Sequence, residues 1–351
     1  MDIVISVFAN QNFLGAFLSS LVFILLGFFL RFRKVIGDKG KAVISALVMN
    51  IGIPCMAFAA FMSDFASDDL LDNLLIFLFA LFLYVLFLLL GNLIFIKKEK
   101  TTRRIYAIFF AIGQITFFSM PLLRAIYAEN QASVLIPGSM MSIAFRLMVY
   151  VYSFLVISGT KMTKDTVGPT LKKIFVSPIM IMMFLGMLIW LTQNLSFWQV
   201  SVGERTYGAL RIDKTVPALF AVIKMGDQVA TPLCMLLIGV TLGEVKFIEA
   251  IKNKVAWLIA TLRAIVAPLL TLGLCLLLQA IGAAHFDLYS LSMLVVGMGA
   301  PVGAVVVAFA IQYDREAYMG SDAIFLSTLL CVVSIPLSLA LVQLAMTLPI
   351  F

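Results

Sequence analysis

Apolar residues run along this chain in long blocks, and polar residues gather between the blocks. A helix needs about 20 mostly apolar residues to cross the hydrocarbon of a bilayer. Ten blocks meet that length: 13–30, 42–61, 72–96, 105–126, 134–157, 176–193, 217–243, 255–280, 288–311 and 322–348. The pattern predicts an all-α polytopic membrane protein with ten transmembrane helices. The longest connection between blocks, 194–216, contains WQVSVGERTYGALRIDK and is expected to hold an amphipathic stretch at the surface.

Four prolines interrupt the blocks. Pro54 and Pro121 lie 67 residues apart, and Pro232 and Pro301 lie 69 apart. A proline inside a spanning helix removes a donor and frees backbone groups that lipid cannot satisfy. The near-equal spacing predicts a 5+5 inverted repeat with discontinuous helices. Residues 1–157 form its first half, 158–175 a cytoplasmic linker, and 176–351 its second half. Five spans per half is an odd number, so the second half enters the membrane from the opposite side. Asn50 lies four before Pro54, and Gln228 lies four before Pro232. Spans four and nine are expected to break at Ser119–Pro121 and Gly299–Pro301 and to cross there. The competing reading is that the proline kinks match by chance.

Composition agrees with the spans. The chain is 63% hydrophobic and 12% charged, far from a soluble domain. Asp2 and the lack of a basic residue before the first block predict a retained first span rather than a cleaved signal peptide. Cys55, Cys234, Cys275 and Cys331 all fall inside apolar blocks and form neither a disulfide framework nor a zinc pattern.

The basic residues sort by side. Arg31, Arg33, Lys34, Lys39 and Lys41 follow span one; Lys97, Lys98, Lys100, Arg103 and Arg104 follow span three. Lys161, Lys164, Lys172 and Lys173 follow span five; Lys246, Lys252 and Lys254 follow span seven; Arg315 follows span nine. The even loops carry only Arg205, Arg211 and Lys214, so the odd loops hold 18 basic residues against three. Cytoplasmic loops attract Lys and Arg. Both termini are therefore expected outside, in a multi-pass protein of the cytoplasmic (inner or plasma) membrane. The net charge of +7 is then a topology signal. Membrane lipid is an expected partner and nucleic acid is not.

Five charged residues remain inside spans: Arg124, Arg146, Lys224, Asp227 and Arg263. An ionised group at mid-bilayer is unfavourable by at least about 2.5–3.5 kcal/mol, which makes each a functional candidate. Arg146 shares a helix face with Ser139 and Ser142, a set of donors suited to an anion. Its alternative is a tie to a backbone carbonyl freed by a break. Arg263 and Arg124, nearer span ends, have snorkelling as their alternative. Lys224 and Asp227, spaced i, i+3, are either an ion pair or a protonation site at Asp227. Lys224, Asp227 and Arg263 are thus the charge and coupling candidates.

Polar and small residues also gather at the prolines. Asn50, Gln114, Thr116, Ser119 and Thr231 stand near them, with Gly113, Gly297, Gly299, Ala300 and Gly303. Glycine lets a helix unwind, and a half-helix N-terminus offers N–H donors to a carboxylate. The candidate substrate-binding set is Asn50, Gln114, Thr116, Ser119, Arg146, Thr231, Gly299 and Ala300. Close helix packing through small residues accounts for the glycines alone.

At these residues the sequence resembles the auxin efflux carrier family, including bacterial malate-permease-like members. TPLCMLLIGVTLGEV, RAIVAPLL with Arg263 and Pro268, and APVGAVVVAFAIQYDREAYMGSDAIFLSTLLCVVSIPL carry the resemblance. Gln114 and Ser119 stand where the family often has Asn and Gly. The resemblance implies ten helices, a crossing of spans four and nine, an elevator-like or rocking motion, and transport of organic carboxylates. The resulting expectation is a secondary transporter of a small mono- or dicarboxylate, malate-like, working by alternating access. Two alternatives stand beside it: a sodium-coupled bile-acid-like organic anion symporter, and a substrate-sensing receptor on the same fold. An enzyme is not expected, since the single His285 lies in a loop and no nucleophile or metal-ligand constellation appears. No cofactor is expected. A homodimer is admitted as an assembly.

Overall fold

The computed structural model describes residues 11–64, 68–159, 168, 176–203, 205–244 and 247–350. Asp2, Lys161, Lys164, Lys172, Lys173 and Lys246 lie outside the described residues, as does most of the expected linker.

The apolar blocks become helices: α1 (Gln11–Phe32), α2 (Asp38–Ala60), α3 (Asp68–Ile94), α4 (Lys100–Ala111), α5 (Ile115–Ile126) and α6 (Ala128–Ser158). The second half supplies α7 (Pro178–Thr192), α8 (Pro217–Leu242), α9 (Lys254–Ala280), α10 (Leu288–Gly299), α11 (Ala304–Gln312) and α12 (Ala317–Ala345). Among the described residues, α2, α3, α6, α8, α9 and α12 are long and apolar enough to cross a membrane. Helices α1, α5, α7 and α10 add shorter apolar stretches. The protein is an all-α polytopic membrane protein, with one small hairpin among the described residues.

The connection 194–216 holds that hairpin: β1 (Gln199–Val202) pairs antiparallel with β2 (Arg205–Gly208), and a one-turn helix, Ile212–Thr215, follows. Gly203, at φ +63°, supplies the left-handed residue the tight turn needs. Buried Arg211 anchors the connection. Its Nε and Nη2 donate to Asp213 Oδ1 and Oδ2 at 2.8 and 2.9 Å. Its Nη1 donates to Ser63 O and Asp64 Oδ1, both at 3.0 Å. Burial works against the guanidinium charge, but Asp213 and Asp64 more than offset it and hold the Arg211 pKa above its ordinary value.

The prolines act differently from expectation. Helix α8 runs unbroken through Pro232. Pro54 follows a π-turn at Val48–Gly52 and Pro121 follows one at Ile115–Ser119, and neither breaks its helix. Pro268 follows a third π-turn at Leu262–Val266. A proline ring clashes with the carbonyl four residues back, and the wider π-turn relieves that clash without unwinding the helix. The real breaks lie at 112–114, between α4 and α5, and at 300–303, between α10 and α11. The expected break at Ser119–Pro121 is thus displaced towards the N-terminus, whereas Pro301 lies inside its break.

Packing divides the helices into two groups. In one, α1 packs along α8, and α2 packs on both α7 and α8. Glycines set the α1–α8 distance: a Cβ on Gly27 would lie 2.2 Å from Leu236 O, and one on Gly239 1.9 Å from Ile24 O. In the other group α3 packs on α4 and α6, α9 on α10 and α12, and α10 on α6 and α12. Helix α5 lies along the seam, touching α1 and α8 on one side and α6 and α10 on the other.

Candidate functional site

The two helix breaks meet. Gly113 and Val302 form an antiparallel bridge. Gln114 N donates to Pro301 O at 2.8 Å, and Gly303 N donates to Ile112 O at 2.9 Å. The Gln114 side chain adds a bond from Nε2 to Val302 O at 3.0 Å. Ser327 Oγ accepts from Val302 N at 3.1 Å. Each unwound strand therefore satisfies part of the other, which is how non-helical backbone persists at membrane depth.

Arg263 completes this junction. It is fully buried and donates only to backbone carbonyls. Nη1 reaches Phe110 O at 3.0 Å and Ala111 O at 2.8 Å, at the end of α4. Nη2 reaches Gly297 O at 3.2 Å and Nε reaches Ala300 O at 2.8 Å, at the end of α10. One cation thus sits on the negative ends of two half-helices. Arg263 does not snorkel: its site on α9 is central, and the freed carbonyls are there to receive it. Gly113 is obligatory here, since a Cβ on it would lie 1.8 Å from Arg263 Nη2. Gly299 packs on Pro268, with a Cβ distance of 3.1 Å, and its carbonyl accepts from Cys331 Sγ at 3.2 Å.

The positive ends of the other two half-helices face a cavity of about 340 Å³. Gln114 and Phe117, at the start of α5, line it together with Ala304 and Val305, at the start of α11. No side chain caps the first turn of either helix, so first-turn N–H groups remain for a ligand. Leu237, Ile238, Leu242, Val307, Ile311 and Ile324 give the cavity an apolar wall. Lys41 and Glu244 stand in its lining, with Lys41 Nζ 2.6 Å from Glu244 Oε2. Arg31 joins them, 3.2 Å from Glu244 Oε1 and 2.5 Å from Asp38 Oδ1. A second cavity of about 530 Å³ lies elsewhere, lined by Asp64, Asp72, Asn73, His285, Asp287 and Ser290. It is larger, but its carboxylates repel an anion.

The residues singled out from sequence divide accordingly. Gln114 lines the first cavity. Thr116 and Ser119 are buried and do not line it: Thr116 Oγ1 lies 3.5 Å from Ser142 Oγ, and Ser119 Oγ donates to Val296 O at 3.1 Å. Ser139 Oγ is spent on Leu135 O at 2.8 Å. Arg146 is buried in α6 and is not part of the cavity lining. Asn50 is exposed and bonds Ala46 O at 2.8 Å, and Thr231 is half-buried on α8. Neither lines the cavity; α2 reaches it through Lys41, Ser45 and Met49, and α8 through Leu237, Ile238, Thr241 and Leu242.

Asp227 has a partner the sequence did not disclose. Arg124 Nη2 donates to Asp227 Oδ2 at 2.8 Å, Nη1 donates to Asp227 O at 2.9 Å, and Nη1 also pairs with Oδ1. Lys224 Nζ lies 3.2 Å from Oδ2, so the expected i, i+3 pair exists as the outer member of a triad. The i, i+3 spacing offers Lys224 from sequence; that α5 brings Arg124 to α8 is a tertiary fact.

A family model described as Membrane transport protein matches residues 12–339. The chain belongs to that family. The match extends over nearly all of the described helices, and it bears out the resemblance to auxin efflux carriers at family level. This is a transport family rather than an enzyme family. No curated protein matches the chain. For a membrane transport protein, the junction and the cavity beside it unite the features a solute site needs: unwound backbone, exposed donors and an enclosed volume.

Proposed function

We propose that this membrane transport protein is a secondary transporter of a small organic anion, a mono- or dicarboxylate of malate-like size. The observation that carries the reading is the sorting of charge at the junction. Arg263 covers the negative half-helix ends, and the positive ends of α5 and α11 face the cavity. A carboxylate there meets N–H donors and the Gln114 side chain, in the field of the buried Arg263 guanidinium, which lies behind the lining on its carbonyls. Lys41 supplies a further cation once an anion competes with Glu244.

The architecture behind this is a 5+5 inverted repeat with spans four and nine crossing at the junction. Its support is the duplicated packing: α1 on α8 is matched by α7 on α2, and α3 on α6 by α9 on α12. Alternating access follows if the two helix groups move against each other along α5. The bias of Lys and Arg towards the odd loops supports both termini outside, in the cytoplasmic membrane.

The sodium-coupled alternative needs free carbonyls at the half-helix ends, where transporters of this architecture hold a coupling cation. Here Arg263 holds them. Transport is therefore expected to proceed in sodium-free medium. Counterflow of labelled carboxylates into proteoliposomes, with Gln114→Ala as the site control, tests the reading. Exchange of at least one carboxylate, lowered roughly tenfold by the loss of one charge-assisted donor, supports it. No exchange across the panel, or exchange only with sodium, refutes it.

A further inference from the structure

Arg124 and Asp227 sit on opposite sides of the seam. Arg124 belongs with the junction: Ser119 Oγ ties α5 to Val296 O of α10, and Tyr127 Oη lies 2.9 Å from Ser292 Oγ of the same helix. Asp227 belongs with α8, whose glycine contacts bind it to α1 and α2: a Cβ on Gly226 would lie 2.7 Å from Cys55 Sγ. Asp227 is 1% exposed. Separating such a pair leaves two buried ions, a strongly unfavourable state unless each finds another partner.

Each ion already has one on its own side. Lys224 Nζ is 3.2 Å from Asp227 Oδ2 and lies one turn away on the same helix. Gln131 Oε1 accepts from Arg124 Nε at 3.1 Å, and Gln131 opens the straight part of α6, in the junction group. We propose that Arg124 and Asp227 form a latch across the seam, and that Lys224 and Gln131 are the fallback partners that let it open. The latch holds the two helix groups in the present arrangement. When α5 slides along α8, Asp227 stays paired with Lys224 and Arg124 stays bonded to Gln131. Arg124, Asp227, Lys224 and Gln131 are then positioning residues for transport, set apart from the anion cavity. The proposal rests on the reading that the two groups move.

Lys224 and Asp227 play opposite parts in this account, and that makes it testable. Spin labels placed at exposed Glu129 and Thr206, in a Cys55→Ser background, report the distance between the groups in lipid nanodiscs. The wild type is expected to show two distances. Asp227→Asn weakens the latch and should raise the minor population roughly tenfold, while Lys224→Met removes a fallback and should lower it by a similar factor. Gln131→Leu should act like Lys224→Met. Asp227→Glu keeps the charge and should stay near wild type. Melting temperatures of the same samples identify any variant that fails to fold. Lys224→Met leaves the Arg124–Asp227 bonds intact and decides the question if Asp227→Asn does not survive. If two distances appear but Lys224→Met and Gln131→Leu leave their ratio unchanged, the latch is wrong and the moving-group reading stands. If every sample shows one distance, with and without the carboxylate panel, the moving-group reading falls and the latch with it.

Discussion

Arg263 and Arg124 are both buried arginines, and they have been neutralised in opposite ways. Arg263 meets four neutral carbonyls and no carboxylate. Arg124 meets Asp227 through both ends of its guanidinium. The first arrangement leaves a cation with no acid beside the junction; the second gives its cation an acid, which Lys224 also contacts. A buried cation held by dipoles biases a site towards anions, whereas one held by an acid does not. Of the two, only Arg263 belongs in an argument about substrate charge.

Substitutions at and around the two arginines separate these arrangements. The largest effect is expected from Arg263→Ala. It takes the guanidinium from Phe110 O, Ala111 O and Ala300 O, while Gly297 O keeps Ala300 N at 3.4 Å; at about 1 kcal/mol or more for each orphaned acceptor the loss is at least about 3 kcal/mol. A large fall in melting temperature, only partly recovered by Arg263→Lys, would be seen, because an ammonium lacks the planar fork. Next comes Gly113→Ala. The new methyl must displace the guanidinium, an overpacking expected to destabilise by about 3 kcal/mol. A Gly113→Ala protein that melts like wild type would show that the Arg263 contacts are not as tight as described. Arg124→Ala should do less, about 2 kcal/mol, the value of a charge-assisted bond, because Lys224 remains on Asp227. If Arg124→Ala destabilises more than Arg263→Ala, the contrast between the two arginines fails. Asn50→Ala closes the series. The exposed amide bonds only its own helix, so a change within about 0.5 kcal/mol is expected.

Much of this was legible in the chain, and the limits are physical. Apolar block length located the helices, since backbone in lipid must be internally bonded. The small residues around Pro301 marked the second break. Pro121 misled, because a proline removes one donor but does not dictate that a helix unwind. The first break sits at Gly113 because Arg263, 150 positions further on, occupies the space where a side chain would be. No local pattern encodes that. The triad at Asp227 was half legible: Lys224 lies on the same helix, but Arg124 arrives from α5. Arg146 looked the best anion ligand on its own helix, yet the unwound ends converge on a cavity it does not line.

In the proposed function a carboxylate sits at the start of α11, in the field of Arg263 and without a coupling sodium. The most direct measurement is protection of a cysteine at Ala304 from alkylation in nanodiscs, with a cysteine at Ser133 in the acidic cavity as the reference. A transported carboxylate should slow modification at position 304 equally in sodium and in choline medium, and leave position 133 unaffected. Protection that requires sodium, or that appears at 133 and not at 304, would contradict the account.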